Sequence, residues 1–443
     1  MNLPNRVLIV LCILAVAVSV HGQDAEQGRN LVSVYDLATQ QDPALKEAWQ
    51  NLESAREARP QAKAVLLPNI SIGGDAGYTN QDTVRPSELS GTKDFSDYAL
   101  SLQLTQPIYR RDLWIQLDQT DNSIAQAEAV YARAEQELMG RVIEVYFTIL
   151  AAQDDLTVSK AQTEANGRQL DQAKQRFDVG LIAITDVHEA QAAYDGSRAD
   201  EIAAENRVDD AWESLFQIVG PYPKDIAKLG EELPLTPPEP ANIESWATSA
   251  VQQNYSVIAA INAAEVARKN IELQRSGYYP TLDLQAGYGI DRTTSDRSSE
   301  NDTGRISIDL NIPLYQGGGV SSRTRQAQYD YGAAREALDR ERRLVNTDVR
   351  NAYRGVITNI SRVGALKATM VSSKSALDST QAGYEVGTRT LVDVLTVQTQ
   401  MFNATRNYLG ARYQYIINGL LLKLRSGILS REDLVRVNAW LKN

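Results

Sequence analysis

Two short stretches of this chain hold residue types suited to charged contacts, and they are copies of one another. Phe177-Asp-Val-Gly-Leu-Ile-Ala-Ile-Thr-Asp-Val-His188 is matched, much later, by Tyr384-Glu-Val-Gly-Thr-Arg-Thr-Leu-Val-Asp-Val-Leu395. The same interval separates Val179-Gly180 from Val386-Gly387 and Asp186-Val187 from Asp393-Val394. The first copy offers Thr185 and Asp186, and the second offers Asp393. Only the second carries a cation, because Arg389-Thr390 stands where the first has Ile182-Ala183. A guanidinium beside carboxylates makes charge-assisted hydrogen bonds, which is the chemistry of a latch. A second reading stays open for the acids. Asp186 and Asp393 suit the first turn of a helix, and Thr185 suits an N-cap.

Bond-breaking chemistry has little to work with. The chain has one cysteine and two histidines. Cys12 and His21 fall in or beside an apolar run from 7 to 20, which follows Arg6 and ends in Val20-His-Gly22. That pattern is a secretory leader, residues 1–22, and not a membrane span. Leu11 before Cys12 argues against a lipoprotein. The mature chain then keeps only His188, so a His/Cys metal cluster and a cysteine nucleophile are excluded. We expect no catalytic, cofactor-binding or metal-binding residue. A carboxylate-pair hydrolase would be the one enzyme left, but Asp and Glu are scattered over helix faces. The net charge of −11, one unit more negative without Arg6, argues against a nucleic-acid partner. No run of about 18 apolar residues follows the leader.

Both copies sit between long helical patterns. Over residues 112–177 the inner positions step by four and three through Leu138, Val142, Val145, Ile149, Ala152, Leu156, Ser159, Thr163, Asn166, Leu170 and Ala173. Val345, Val349, Ala352, Val356, Asn359, Val363, Leu366, Met370, Ser373, Leu377 and Thr380 repeat that register. This is a coiled-coil seam with many small and polar members, suited to a larger array of helices. Each hairpin of long helices, about 112–219 and about 320–426, therefore ends in one of the two tips.

Ahead of each long hairpin the period changes to two. Tyr98, Leu100, Leu102 and Leu104 alternate with Ala99, Ser101, Gln103 and Thr105. Ile306, Ile308, Leu310, Ile312 and Leu314 alternate with Ser307, Asp309 and Asn311. We expect β-hairpins at about 68–107 and 280–314, apolar towards lipid and polar towards a wet lumen. Pro107 and Pro313 should end the ladders. Gly317-Gly-Gly319 lacks the Lys-Ser/Thr of a phosphate loop. Two hairpins make four strands, too few to close, and an open edge cannot stand in lipid. The barrel must be shared: two chains give eight strands and three give twelve.

Helix is also expected over residues 31–66, with Asp42 as N-cap, Pro43 at the first helical position, and Pro60 kinking or ending it. A Pro-rich linker about Leu233-Pro-Leu-Thr-Pro-Pro-Glu-Pro240 separates residues 23–240 from 241–443, and helix restarts at 243. A short helix at about 431–440 closes the chain.

Helix, β-hairpin and long helical hairpin, each present twice, resemble the TolC family of outer-membrane channel-tunnels (outer membrane factors). The tip sequences, Leu314-Tyr-Gln-Gly-Gly318 and Tyr279-Pro-Thr-Leu-Asp-Leu284 carry the resemblance over nearly the whole mature chain. It implies an α+β membrane protein: a homotrimer with a twelve-stranded β-barrel in the outer membrane, continued by a coiled-coil helical barrel in the periplasm. It implies a passive exit duct of tripartite efflux pumps and type I secretion. The mouth would be gated by coiled-coil untwisting when a periplasmic adaptor and an inner-membrane RND or ABC-type pump dock. The family's gate links fall on Tyr384 and Arg389 against Thr185 and Asp186. The family's first constriction ring falls on Asp393. The second falls on Thr396, which departs from the family's aspartate, while Glu189 is the twin position in the first tip. Adaptor contacts fall on the tips: Val179, Gly180, Leu181, Val386, Gly387 and Thr388. The rival reading is a periplasmic coiled-coil adaptor or scaffold, which normally has one helical hairpin and no lipid-patterned strands.

Overall fold

Alternating side chains and heptads become two kinds of layer in the computed structural model, which describes residues 30–83, 91–221, 225–294 and 299–442. The expected leader, residues 1–22, lies outside the described residues.

The strands are β1 (Asn69–Thr83), β2 (Gly91–Tyr109), β4 (Thr281–Thr293) and β5 (Ser299–Asn311). They form one antiparallel sheet in the order β1-β2-β4-β5. Cross-strand register puts like with like. Leu102 stands opposite Ile72 and Tyr288, Leu104 opposite Ile70 and Ala286, and Ile306, Ile308 and Leu310 opposite Ala286, Leu284 and Leu282. Side chains directly opposite share a face, so one face is apolar across all four strands. Ile306 is 79% exposed on it. The other face carries Ser101 opposite Gly73 and Gly289, Asp291 opposite Ala99 and Asn301, and Asp283 opposite Asp309. Among the described residues, β1 and β5 each have one edge with no partner strand.

Pro107 does not end its ladder. β2 runs on to Tyr109, and the register shifts between Pro107 and Tyr109. A bulge lets the strand pass a residue that cannot donate. β5 does end before Pro313, at Asn311, so Ile312 and Leu314 lie beyond the ladder.

The long helices are α4 (Arg111–Asp178) with α5 (Ile184–Val219), and α8 (Gly319–Glu385) with α9 (Leu391–Arg425). At about 1.5 Å per residue, α4 is roughly 100 Å long. The shorter helices α1 (Leu31–Gln41), α2 (Pro43–Arg56) and α3 (Ala58–Ala64) run beside α4. Of the pair α6 (Ile243–Gln253) and α7 (Tyr255–Arg275), α7 lies between α4 and α8. α2 stops before Pro60, whose ring would meet the carbonyl of Arg56. Pro60 instead falls in the first turn of α3.

Caps set the joints. Asp42, 1% exposed, accepts from the Leu45 N–H at 2.7 Å and takes both Arg141 Nη atoms at 3.1 and 2.8 Å. Asn254 caps α7 through the Ser256 N–H and donates Nδ2 to the carbonyl of Arg425. The end of α9 thus abuts the start of α7. At the end of α5, Gly220 lies against the side chain of Gln41, next to the start of α2. Among the described residues the helical layer is therefore four helices wide near the sheet (α2–α3, α4, α7, α8) and four wide towards the tips (α5, α4, α9, α8).

The main core sits where these halves meet, around Leu138, Val142, Tyr146, Phe147, Leu215, Tyr415 and Leu420. Tyr146 donates to the carbonyl of Ala227. Arg412 donates to those of Gly230 and Glu231, and Tyr415 to those of Pro234 and Thr236. The linker is thus strapped over the helices. The short strand β3 (Lys228–Leu229) pairs with β6 (Leu441–Lys442), which follows α10 (Arg431–Asn438).

Candidate functional site

The two tips have the same backbone for the same reason. α4 ends at Asp178 and α8 at Glu385, and in each the glycine two residues on takes positive φ, +74° at Gly180 and +81° at Gly387. The next N–H then reaches back five residues, Leu181 to the carbonyl of Arg176 and Thr388 to that of Gly383, both at 2.8 Å. This is a glycine-terminated helix end that satisfies orphan carbonyls. It leaves Val179, Leu181 and Val386 standing out, at 69%, 73% and 76% exposure.

Helix restarts differ. In the second tip Thr390 is the N-cap and Asp393 closes a capping box with it. Asp393 Oδ2 accepts from the Thr390 N–H and hydroxyl, each at 2.9 Å, and the Asp393 N–H donates back to Thr390 Oγ1. The Thr390 N–H first, its hydroxyl next and the nearby Arg389 charge last hold the Asp393 carboxyl below the usual carboxylate range. In the first tip Ala183 occupies the N-cap position and supplies no side-chain bond. Thr185 is therefore not the N-cap. It lies inside the first turn of α5, followed by Asp186, whose N–H reaches the Ala183 carbonyl at 3.1 Å.

A small apolar cluster ties the two hairpins together just behind the tips. Leu170 and Ala173 of α4, Ala190 of α5, and Leu391 and Leu395 of α9 pack together, with Tyr384 and Tyr194 beside them. The Tyr384 ring lies under the Arg176 guanidinium, 4.8 Å from its centroid, a cation–π contact. Arg389 folds back over Gly383. Among the described residues of one chain, no hydrogen bond or ion pair joins Tyr384 or Arg389 to Thr185 or Asp186. Thr396 and Glu189 are exposed, Thr396 one turn past Asp393 on α9. The Arg176–Tyr384 stack is a site contact that sequence reading missed. Arg176 is an ordinary helix-face arginine by pattern, and its partner comes from the other hairpin.

Among the described residues there is no group of His, Cys, Asp and Glu fit for a metal, and no helix long and apolar enough to cross a membrane. The sheet, with an apolar band across one face from Ile70 and Leu104 to Ile306 and Ile308, is the remaining candidate for contact with lipid.

The sequence profile of the outer membrane efflux proteins matches residues 34–221 and 246–425. The chain belongs to that family. It is an outer-membrane protein, and this family's members are channels. The outer membrane protein TolC of Vibrio cholerae is 38% identical over 421 residues, covering 93% of this chain and 94% of that one. The alkaline protease secretion protein AprF of Pseudomonas aeruginosa is 27% identical, covering 92% and 86%. Among solved structures, the CmeC outer membrane channel of Campylobacter jejuni superposes with a TM-score of 0.77 over 100% of this chain and 98% of its own, at 16% identity. Channels of this family thus share the β domain and long helical hairpins described above.

Proposed function

We propose that three copies of this chain close a twelve-stranded barrel in the outer membrane, continued by a twelve-helix tunnel into the periplasm, and serve as the exit duct for efflux and type I secretion. The observation that carries the reading is the sheet. It has one exposed apolar face, one polar face and two unpaired edges, and only closure with further copies satisfies those edges in lipid. The four described strands of this sheet make eight in a dimer, whose lumen side chains fill, and twelve in a trimer, which leaves a pore. The helical layer, four helices wide, matches the same count. AprF, a relative named for protease secretion, supports secretion beside efflux. We take residues 1–22 as the leader and 23–240 and 241–443 as two structural repeats.

In this reading the tips are the periplasmic mouth. Tyr384 and Arg389 close it against Thr185 and Asp186 of an adjoining hairpin, bonds that a single chain does not make. Asp393, three times round the axis, forms an acidic ring that attracts cations, and Thr396 leaves that ring single. The exposed apolar tips, Val179-Gly180-Leu181 and Val386-Gly387-Thr388, receive a periplasmic adaptor serving an RND or ABC-type pump. The chain itself performs no catalysis. A periplasmic scaffold would have no use for so wide an apolar sheet.

The test is conductance of purified channels in planar bilayers, beside heat-resistant trimers on gels. Tyr384→Phe with Arg389→Glu should raise conductance, and no rise would remove the gate from the tips. A protein that migrates only as monomer and inserts no channels would refute the shared barrel.

A further inference from the structure

The tips are not the only place where the two hairpins hold each other. α4 carries two apolar clusters, one spanning Leu138 to Leu150 and one at Leu170 and Ala173. Between them its buried side chains are Val158, Ser159, Gln162, Asn166 and Gln169, all but one polar. Such a stretch needs partners, since a buried polar group without one is costly. The partners come from both sides. Asp155 takes Arg207 Nη2 of α5 at 2.6 Å and Arg406 Nε of α9 at 3.0 Å. Arg406 Nη2 also donates to Ser159 Oγ at 3.1 Å and Gln162 Oε1 at 2.8 Å. Further towards the tip, Asn166 donates to the Ala193 carbonyl of α5 and accepts from Gln398 Nε2 of α9 at 2.8 Å.

Two kinds of contact are mixed here. Bonds from α4 to α5 lie within one hairpin, while bonds from α4 to α9 join the two hairpins. Widening a mouth built of hairpins must act on the second kind. A dry apolar seam has no substitute partner when it parts. A polar seam can exchange its partners for water, so it parts and re-forms as a set of directional bonds.

We propose that Arg406 is the positioning residue of a second, mid-tunnel latch, holding α9 on α4 through Asp155, Ser159 and Gln162, with Gln398–Asn166 as its lower tooth. The latch rests on the reading of these hairpins as the walls of a gated tunnel. Its arrangement separates it from plain packing. Because Arg207 also holds Asp155, losing Arg406 breaks the link between hairpins without orphaning the carboxylate. Losing Arg207 breaks only a link within one hairpin.

The experiment compares four variant channels in planar bilayers: Arg406→Gln, its within-hairpin control Arg207→Gln, the conservative Arg406→Lys, and the tip variant Tyr384→Phe with Arg389→Glu. Heat-resistant trimers on gels check assembly of each. We expect Arg406→Gln to raise the open-channel population roughly tenfold, the effect of losing one net charge-assisted hydrogen bond. Arg207→Gln should leave it unchanged, and Arg406→Lys should restore most of the closed population. If the tip variant opens and Arg406→Gln does not, or if Arg207→Gln opens the channel as far as Arg406→Gln, the latch is refuted and the tip gate stands. If Arg406→Gln opens and the tip variant does not, the latch stands and the tip gate falls. If neither opens, both fall. Should Arg406→Gln fail to assemble, a thiol crosslink between Asn166→Cys and Gln398→Cys decides. It should hold the tip variant at low conductance, and full opening of the crosslinked channel would refute the latch.

Discussion

Replacing Gly427 by alanine should damage the fold far more than the same change at Gly387, although both have positive φ, +74° and +81°. The backbone cost is common to both, about 1–2 kcal/mol for an L-residue in the left-handed region. Surroundings make the difference. A Cβ at Gly387 meets nothing within 4 Å. A Cβ at Gly427 would lie 2.7 Å from Asn254 Cα and 2.8 Å from the Gln253 carbonyl oxygen, both backbone atoms. Backbone cannot rotate away as a side chain can, so overpacking adds about 1–3 kcal/mol. The total at Gly427 is then about 2–5 kcal/mol. With roughly 2 cal/mol/K of unfolding entropy per residue, a chain of this size loses roughly 1 °C of Tm per kcal/mol. Thermal unfolding in detergent, followed by far-UV circular dichroism, should therefore show a loss of about 2–5 °C for Gly427→Ala and about 1–2 °C for Gly387→Ala. Equal losses would mean that the joint between α9 and α7 is not the tight contact described above.

Three further outcomes follow from single contacts. Asp42→Ala removes the cap of α2 and the partner of Arg141, while Arg141 stays partly solvated; a loss of about 1–3 kcal/mol should appear as a lower urea midpoint with an unchanged slope. Asp393 is held below the usual carboxylate range chiefly by Thr390, so its contribution is present above the unfolded value of about 3.9 and is lost as pH falls through the lower, folded one. Thr390→Val removes the hydroxyl donor, and block of the channel by multivalent cations should then fade at a higher pH than in the wild type. Asp393→Ala should weaken both cation selectivity, read from reversal potentials, and that block; unchanged selectivity would place the filter elsewhere.

Much of this was legible because it is local or periodic. The alternation of Leu100, Leu102 and Leu104 needs no partner to be read, and the register then aligned it with Ile72 and Tyr288. Asp42 before Pro43 announces a cap. The paired tips announced themselves as Val-Gly repeats, because a helix end with positive φ needs glycine at that position. Other features depend on what lies opposite. Pro107 reads as a strand stop until β4 is seen to continue past it. Thr185 reads as an N-cap by type, yet the chain turns into helix earlier, at Ala183, so the hydroxyl falls inside the first turn. Arg406 and Asp155 lie in different halves of the chain, each on an unremarkable helix face. Nothing in either neighbourhood names the other. The two-residue pairing of β3 with β6 is too short for any pattern to announce.

The two unpaired edges of the sheet also bear on inheritance. Under the proposed barrel, a wall assembled from several chains is no better than its worst member, since one chain that cannot pair breaks the ring for all. In a cell carrying both a sound and a defective copy of this gene, chains would mix before the ring closes, and most rings would contain a faulty member. Damage to an edge strand such as β5 should therefore be dominant, whereas damage that prevents the chain from being made at all should be recessive.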